Sequence, residues 1–213
     1  VLLNLIINAE QAMIGAHGRG TLVVRSWHEA DRDAVILEVN DDGPGVPVGL
    51  HAEASAQEGR DVYVPEVAFA FFLSGTNIEK PPDCVRGGIN GLGAKLANVH
   101  SARFEVETAD GRTLYSQVWL DRLGATLPPR LVDLRRPGHG VPPAQAGPHP
   151  CVRFVPAFAE LGYRAAPGAG GFPVPGPADA ADLEAWLRLR AHQAAAYCGP
   201  KVRVAFNGRR CAT

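Results

Sequence analysis

The sequence predicts an α+β domain, a mixed sheet with helices layered on it. Three observations lead there. An apolar–polar pattern with helical spacing opens the chain, and alternating or β-branched runs come in pairs joined by short turns. A helix-length segment near the C-terminus then precedes one last β-branched run. Pairs of this kind mark hairpins, not strict βαβ repeats.

Residues 1–14 set Leu2, Leu3, Leu5, Ile6, Ala9, Ala12 and Met13 on a broad helical face, with Asn4 and Asn8 four residues apart on one side. Gly15, Gly18 and Gly20 end that helix. Residues 21–27 and 34–40 form a hairpin about the charged turn 29–33, and 41–47 is a turn by composition. An apolar segment of helical length follows at 64–73, then polar Ser74 to Asn77. Glycines crowd 87–93, and a helix runs on from there over 94–100. Strands at 104–108 and 113–120 meet at Asp110-Gly111. Residues 124–150 are rich in Pro and Gly without period and read as a long loop or insertion, and 165–178 is a second such tract. A strand at 151–156, a long helix at 179–197 stopped by Gly199-Pro200, and a strand at 202–206 before Asn207-Gly208 complete the order.

With 213 residues the chain can bury a real core. Its formal charge of −1 provides no global field for nucleic acid. No apolar run reaches membrane-spanning length and no basic-then-apolar leader opens the chain, so no membrane contact is expected of this segment. Cys84, Cys151, Cys198 and Cys211 are scattered without metal spacing, which reads as idle thiols in a reducing compartment. The first residue is not Met and lies inside a helical pattern, so the chain reads as an N-terminally truncated fragment.

The chemistry gathers in three places. Gly87 to Lys95 joins four glycines to a lysine ahead of a helix, a composition suited to closing backbone N–H groups on phosphate. In the turn at 41–45, Asp42 flanked by Gly43 and Gly45 suits a purine, the carboxylate accepting the amino proton while the glycines let the base lie close. Asn8 offers a neutral amide oxygen of the kind Mg²⁺ accepts while keeping its waters and bridging phosphates. Ser74, Thr76 and Asn77 add donors for ribose or phosphate. Each has a plainer reading taken singly: a surface amide, a hairpin turn, a solvated lysine. Their joint occurrence in this order points to an ATP site.

These residues resemble the GHKL (Bergerat) ATP-binding fold, shared by type II topoisomerases and sensor histidine kinases. The resemblance implies a two-layer sandwich of helices and a mixed, mainly antiparallel sheet spanning 1–213. It matches Asn8 to the N-box asparagine, Asp42 to Gly45 to the first glycine box, and Gly87 to Lys95 to the phosphate lid. Within that superfamily, 46–123 and 151–211 are similar to the ATPase region of eukaryote-type topoisomerase II. The segments Tyr63-Val64-Pro65-Glu66, Thr76-Asn77, Asn90-Gly91-Leu92-Gly93-Ala94-Lys95 and Lys201 to Arg209 carry that likeness. It implies ATP and Mg²⁺ as ligands, with Asn8, Asp42, Gly43, Gly45, Thr76, Asn77, Asn90, Gly91, Leu92, Gly93, Ala94 and Lys95 at the nucleotide. It also implies DNA contact through other domains, a homodimer in the full-length protein, and a cytoplasmic, nucleoid or nuclear location.

Residues 1–47 look more like a sensor histidine kinase. Topoisomerases usually place a glutamate as base four residues before the metal asparagine, and here that position is Asn4. An amide has no useful proton affinity near neutral pH, so nucleotide binding is better supported than hydrolysis. Two alternatives to a topoisomerase stay open on the sequence: a kinase ATP-binding domain, and a non-hydrolysing GHKL module.

Overall fold

The computed structural model describes residues 2–72, 92–168 and 170–211. Helix α1 (Leu2–His17) buries Leu5, Ile6, Ala9 and Met13. Gly18 stops it in the left-handed region at φ 69°, its N–H bonded to the Ile14 carbonyl. Strands β1 (Gly20–Glu29) and β2 (Ala34–Asp41) form the expected antiparallel hairpin. Among the described residues the next helices are α2 (Ala52–Glu58), α3 (Val64–Ala70) and α4 (Gly93–Val99). Then come β3 (Ser101–Ala109), β4 (Thr113–Leu120), β5 (Ala125–Thr126) and β6 (Arg130–Asp133). The rest is α5 (Pro143–Ala146), β7 (His149–Pro156), β8 (Ala165–Pro167), β9 (Pro173–Pro175), α6 (Pro177–Cys198), β10 (Val202–Phe206) and β11 (Arg209–Arg210).

Nine strands make one sheet in the order β11-β10-β1-β2-β7-β3-β4-β5, with β6 also on β4. Among the described residues only β1 and β10 run parallel; every other pairing in this sheet is antiparallel. This is the mixed, mainly antiparallel α+β arrangement expected.

Strand alternation sends Leu22, Val24, Leu37, Val39, Phe104, Val106, Trp119, Val152, Phe154, Val202, Val204 and Phe206 to one face, where helices cover them. Phe104 sits in the middle, its ring centroid 6.0 Å from Trp119, 6.1 Å from Phe154 and 6.2 Å from Phe69. Helix α6 approaches this face closely because Ala191, Ala194 and Ala195 line its buried side. The opposite face combines a small apolar cluster of Ala34, Ile36 and Val155, with Trp27 and Phe172 against it, and paired charges. Buried Glu38 takes Arg25 at 2.9 Å and Arg153 at 2.7 Å from the two flanking strands, so its charge is paired on both sides.

Several expectations are corrected. Residues 124–150 are not simply a long loop: β5 and β6 extend the sheet along β4, and the Gln117 side chain donates to the Leu127 carbonyl at 3.0 Å. The tract at 165–178 contains the β8–β9 hairpin and the first turn of α6. Helix α3 ends at Ala70, and α2 was not foreseen. An unexpected cap explains α2, since the His51 Nδ1 accepts the Ala54 N–H at 3.2 Å. Cys151, Cys198 and Cys211 are buried free thiols, and burial pushes Cys151 up to about 12 and Cys198 to about 11. Cys84 lies outside the described residues. No helix among the described residues is long and apolar enough to cross a membrane.

Candidate functional site

The site is built where β2 ends. Leu37, Val39 and Asp41 alternate onto the helix-bearing face, so the last strand residue carries a carboxylate into the layer between sheet and α1. Asp41 is only 4% exposed, and its Oδ1 accepts the Gly43 N–H at 3.0 Å. Burial pushes its carboxyl up to about 6; the Gly43 amide pulls it back, Asp42 pushes it further up, and His149 pulls it down.

Asp42, the aspartate the sequence reading placed at the purine, is exposed and turned the other way. Its Oδ1 accepts the Thr21 N–H at 2.7 Å, fastening the end of β2 to the start of β1. The inward carboxylate is therefore Asp41, and the reason is the period of two along the strand. That alternation was visible in Leu37, Val39 and Asp41 once the strand's end was known.

The glycines bring the turn close to its neighbours. A Cβ on Gly43 would stand 2.6 Å from Asp41 Oδ1, 3.5 Å from Met13 Cγ and 3.8 Å from Ala12 Cβ, so the turn lies against α1. Gly45 has φ 74° and meets the end of β3. Two residues that the sequence reading passed over hold the turn there. Thr108 Oγ1 accepts the Val46 N–H at 2.8 Å and donates to the His149 carbonyl at 3.0 Å. Asp110 Oδ2 accepts the Val48 N–H at 3.1 Å. Burial raises the Asp110 carboxyl, but the amides of Thr113, Arg112 and Val48 outweigh it and hold it below the usual range. A short hydroxylic or acidic residue at the end of a strand was the only available signal.

Asn8 is exposed on α1 and lies four residues before Ala12, about 6 Å along the axis from the point that Gly43 touches. Asn4 lies about one turn earlier in the same helix. Glu10, the nearest carboxylate in sequence, belongs to another side of the helix, where after burial its charge helps raise the Cys198 thiol of α6. Helix α4 packs on α1 and α3. Leu92 precedes its first turn without a side-chain cap, Gly93 is half-buried, and Ala94 and Lys95 are buried. Burial lowers the pKa of the Lys95 ammonium, which is 2% exposed. Asn98 donates to the Phe69 carbonyl at 3.2 Å and ties α4 to α3. Ser74, Thr76, Asn77, Asn90 and Gly91 lie outside the described residues. The structure thus brings Asn8, Asp41, Gly43, Gly45 and Thr108 to one end of the sheet, with α4 packed on the same helix.

The architecture defines the class first. It is the fold of the ATPase regions of type II topoisomerases. It superposes on the ATPase and transducer domains of DNA topoisomerase II from Balamuthia mandrillaris with a TM-score of 0.74 at 24% identity, covering 100% of this chain and 48% of that one. For the ATPase region of Saccharomyces cerevisiae topoisomerase II the TM-score is 0.72 at 24% identity, covering 99% of this chain and 47% of that one. The sequence narrows the class. The chain is 38% identical over 209 residues to the DNA topoisomerase 2 of African swine fever virus, covering 98% of this chain and 16% of that protein. By sequence the chain belongs with the type II DNA topoisomerases, and its fold is that of their ATPase region. The viral match runs through the kinase-like front as well as the remainder, which argues against a kinase domain. No protein-family model matches. The chain spans about a sixth of the length of the viral relatives.

Proposed function

We propose that this chain is the nucleotide-binding part of a type II topoisomerase and holds ATP with Mg²⁺. One observation carries the reading: a buried carboxylate, Asp41, sits on a two-glycine turn pressed against the helix that bears Asn8. Asp41 accepts the adenine amino proton, and Gly43 and Gly45 leave room for the base. Thr108 fixes the turn from behind. Asp42 keeps its structural bond to Thr21.

The donor set suits Mg²⁺. Among the described residues no group of three or more His, Cys, Asp or Glu could hold a metal alone. A single neutral amide oxygen, that of Asn8, fits an ion that takes most of its ligands from phosphates and water. When bound, Mg²⁺ neutralises phosphate charge. Leu92, Gly93, Ala94 and Lys95 serve the phosphates, joined by Thr76, Asn77, Asn90 and Gly91 on the strength of the family resemblance.

Asn4 stands where a base is needed and, as an amide, takes no proton, so the chain binds ATP without efficient turnover of its own. In the whole enzyme, a homodimer, nucleotide binding would close a gate between subunits and drive one duplex through another, with DNA held mainly by other domains.

Calorimetric titration with a non-hydrolysable ATP analogue and Mg²⁺ tests this. The expected result is saturable binding that Asp41→Asn weakens by about 1–3 kcal/mol and Asp42→Asn leaves nearly unchanged. Absence of binding by the folded chain, or equal loss in both variants, would sink the assignment.

A further inference from the structure

A second cleft shares no residue with the Asp41 turn. It lies where α6 meets the β10–β11 hairpin, has a volume of about 470 Å³, and is bordered by Glu184, Arg188, His192, Asn207, Arg209 and Arg210. The overall charge of −1 hides a local asymmetry there. Its lining holds Arg188, Arg209 and Arg210 against the single carboxylate of Glu184.

The cleft is also rigid. Asn207 and Gly208, at φ 45° and 76°, make a tight hairpin turn with both central residues left-handed. Asn207 is pinned to β1, its Oδ1 accepting the Ser26 N–H at 2.8 Å and its amide nitrogen donating to Ser26 Oγ at 3.2 Å. The Cys211 N–H closes on the Val204 carbonyl at 2.9 Å. Arg209 and Arg210 are therefore presented, exposed, from a fixed backbone. Across from them Arg188 and His192 stand four residues apart on one side of α6. Glu184 engages Arg188 at 2.6 Å, which leaves the hairpin arginines as the main source of positive potential.

We infer that this cleft docks the phosphodiester backbone of duplex DNA. The inference rests on the topoisomerase reading for the identity of the polyanion. The cleft itself contributes the chemistry, since guanidinium forks match phosphate oxygens in pairs and a row of them follows a repeating backbone. Contacts of this kind position a duplex without reading its sequence. The segment then contributes to holding DNA, in addition to binding nucleotide.

Fluorescence anisotropy with a labelled mixed-sequence duplex, titrated between about 50 and 200 mM salt, tests it. The chain should bind, and the double variant R209E/R210E should lose at least tenfold in affinity and flatten the log–log salt slope by about 2. A control pair, R112E/R136E, removes exposed arginines at the opposite end of the sheet and should bind as the parent does. Binding of the ATP analogue, measured on every variant, reports the fold and the Asp41 site separately. Equal loss in the control pair would overturn the proposal, because attraction would then be spread over the surface. Displacement of the duplex by polyglutamate or inorganic phosphate at matched charge would also overturn it, as would no duplex binding by a chain that binds the nucleotide.

Discussion

Gly45 and Ala109 approach so closely that a Cβ on the glycine would stand 2.1 Å from the alanine's carbonyl oxygen. That contact, with the Val46 and Val48 amides bonded to Thr108 and Asp110, seats the turn after β2 on the end of β3. The turn carries Asp41 at its start, so a backbone contact between this turn and β3 sets the position of the carboxylate proposed to face the nucleotide.

Gly45→Ala must therefore move backbone, since its neighbour is a carbonyl and its φ is 74°. The expected cost is about 2–3 kcal/mol, with loss of nucleotide affinity. Gly138→Ala makes the comparison: φ is 73° there, with nothing within 4 Å, so the cost should stay near 1 kcal/mol and leave binding intact. Denaturant midpoints of the two variants decide it.

Asp41 gives the site a pH dependence. Its carboxyl is raised to about 6 from 3.8, chiefly by burial, so protonation favours the fold. That stabilisation is fully present below pH 3.8 and is lost as pH rises through about 6. The ligand requires the opposite state, because only the carboxylate accepts freely. Nucleotide affinity should fall as pH is lowered through about 6, while Asp41→Asn should raise stability at pH 8 by about 1–3 kcal/mol. Titrations and melts across that range read both signs.

Glu66 is 1% exposed on α3 and depends on Arg60, which reaches its two oxygens at 2.6 and 3.2 Å. Arg60→Met strands that carboxylate. Because Arg60 is itself 44% exposed, the expected loss is discounted to about 2 kcal/mol. Arg60→Met/Glu66→Gln should be more stable than Arg60→Met alone. A double-mutant cycle by chemical denaturation measures the difference.

Much of this fold was legible because its signals are local. The hairpin of β1 and β2 follows from alternation about a charged turn, α1 from apolar spacing and its glycine end, and α6 from its length and the Gly199-Pro200 stop. What local pattern could not give was pairing at a distance. Arg130 to Asp133 looks like loop until Leu114 and Tyr115 face it across the ladder, and α2 depends on a histidine acting as a cap. Choosing between Asp41 and Asp42 required the strand to end at Asp41, a shift of one residue that exchanges interior and solvent. Thr108 was read as a strand residue and Asp110 as part of a turn because their partners lie more than sixty positions away, at Val46 and Val48.

His149 and Glu107 form the last testable pair, with Nε2 and Oε1 at 3.5 Å and both side chains mostly buried. Glu107 holds the imidazole above its usual range against burial, with the Gly147 carbonyl helping, and His149 in turn holds Glu107 low. The two contributions have opposite limits. The histidine's is present below its ordinary 6.5 and fades as pH rises through its raised value. The glutamate's is present above its ordinary 4.5 and fades as pH falls through its lowered value. The pair therefore stabilises most between pH 4.5 and 6.5. His149→Gln should cost about 1 kcal/mol in that window and less at pH 8. The same cation draws the Asp41 carboxyl down, so removing it should raise the pH below which nucleotide affinity falls. A variant whose stability changed equally at all pH values, with the affinity midpoint unmoved, would show that His149 acts only through packing.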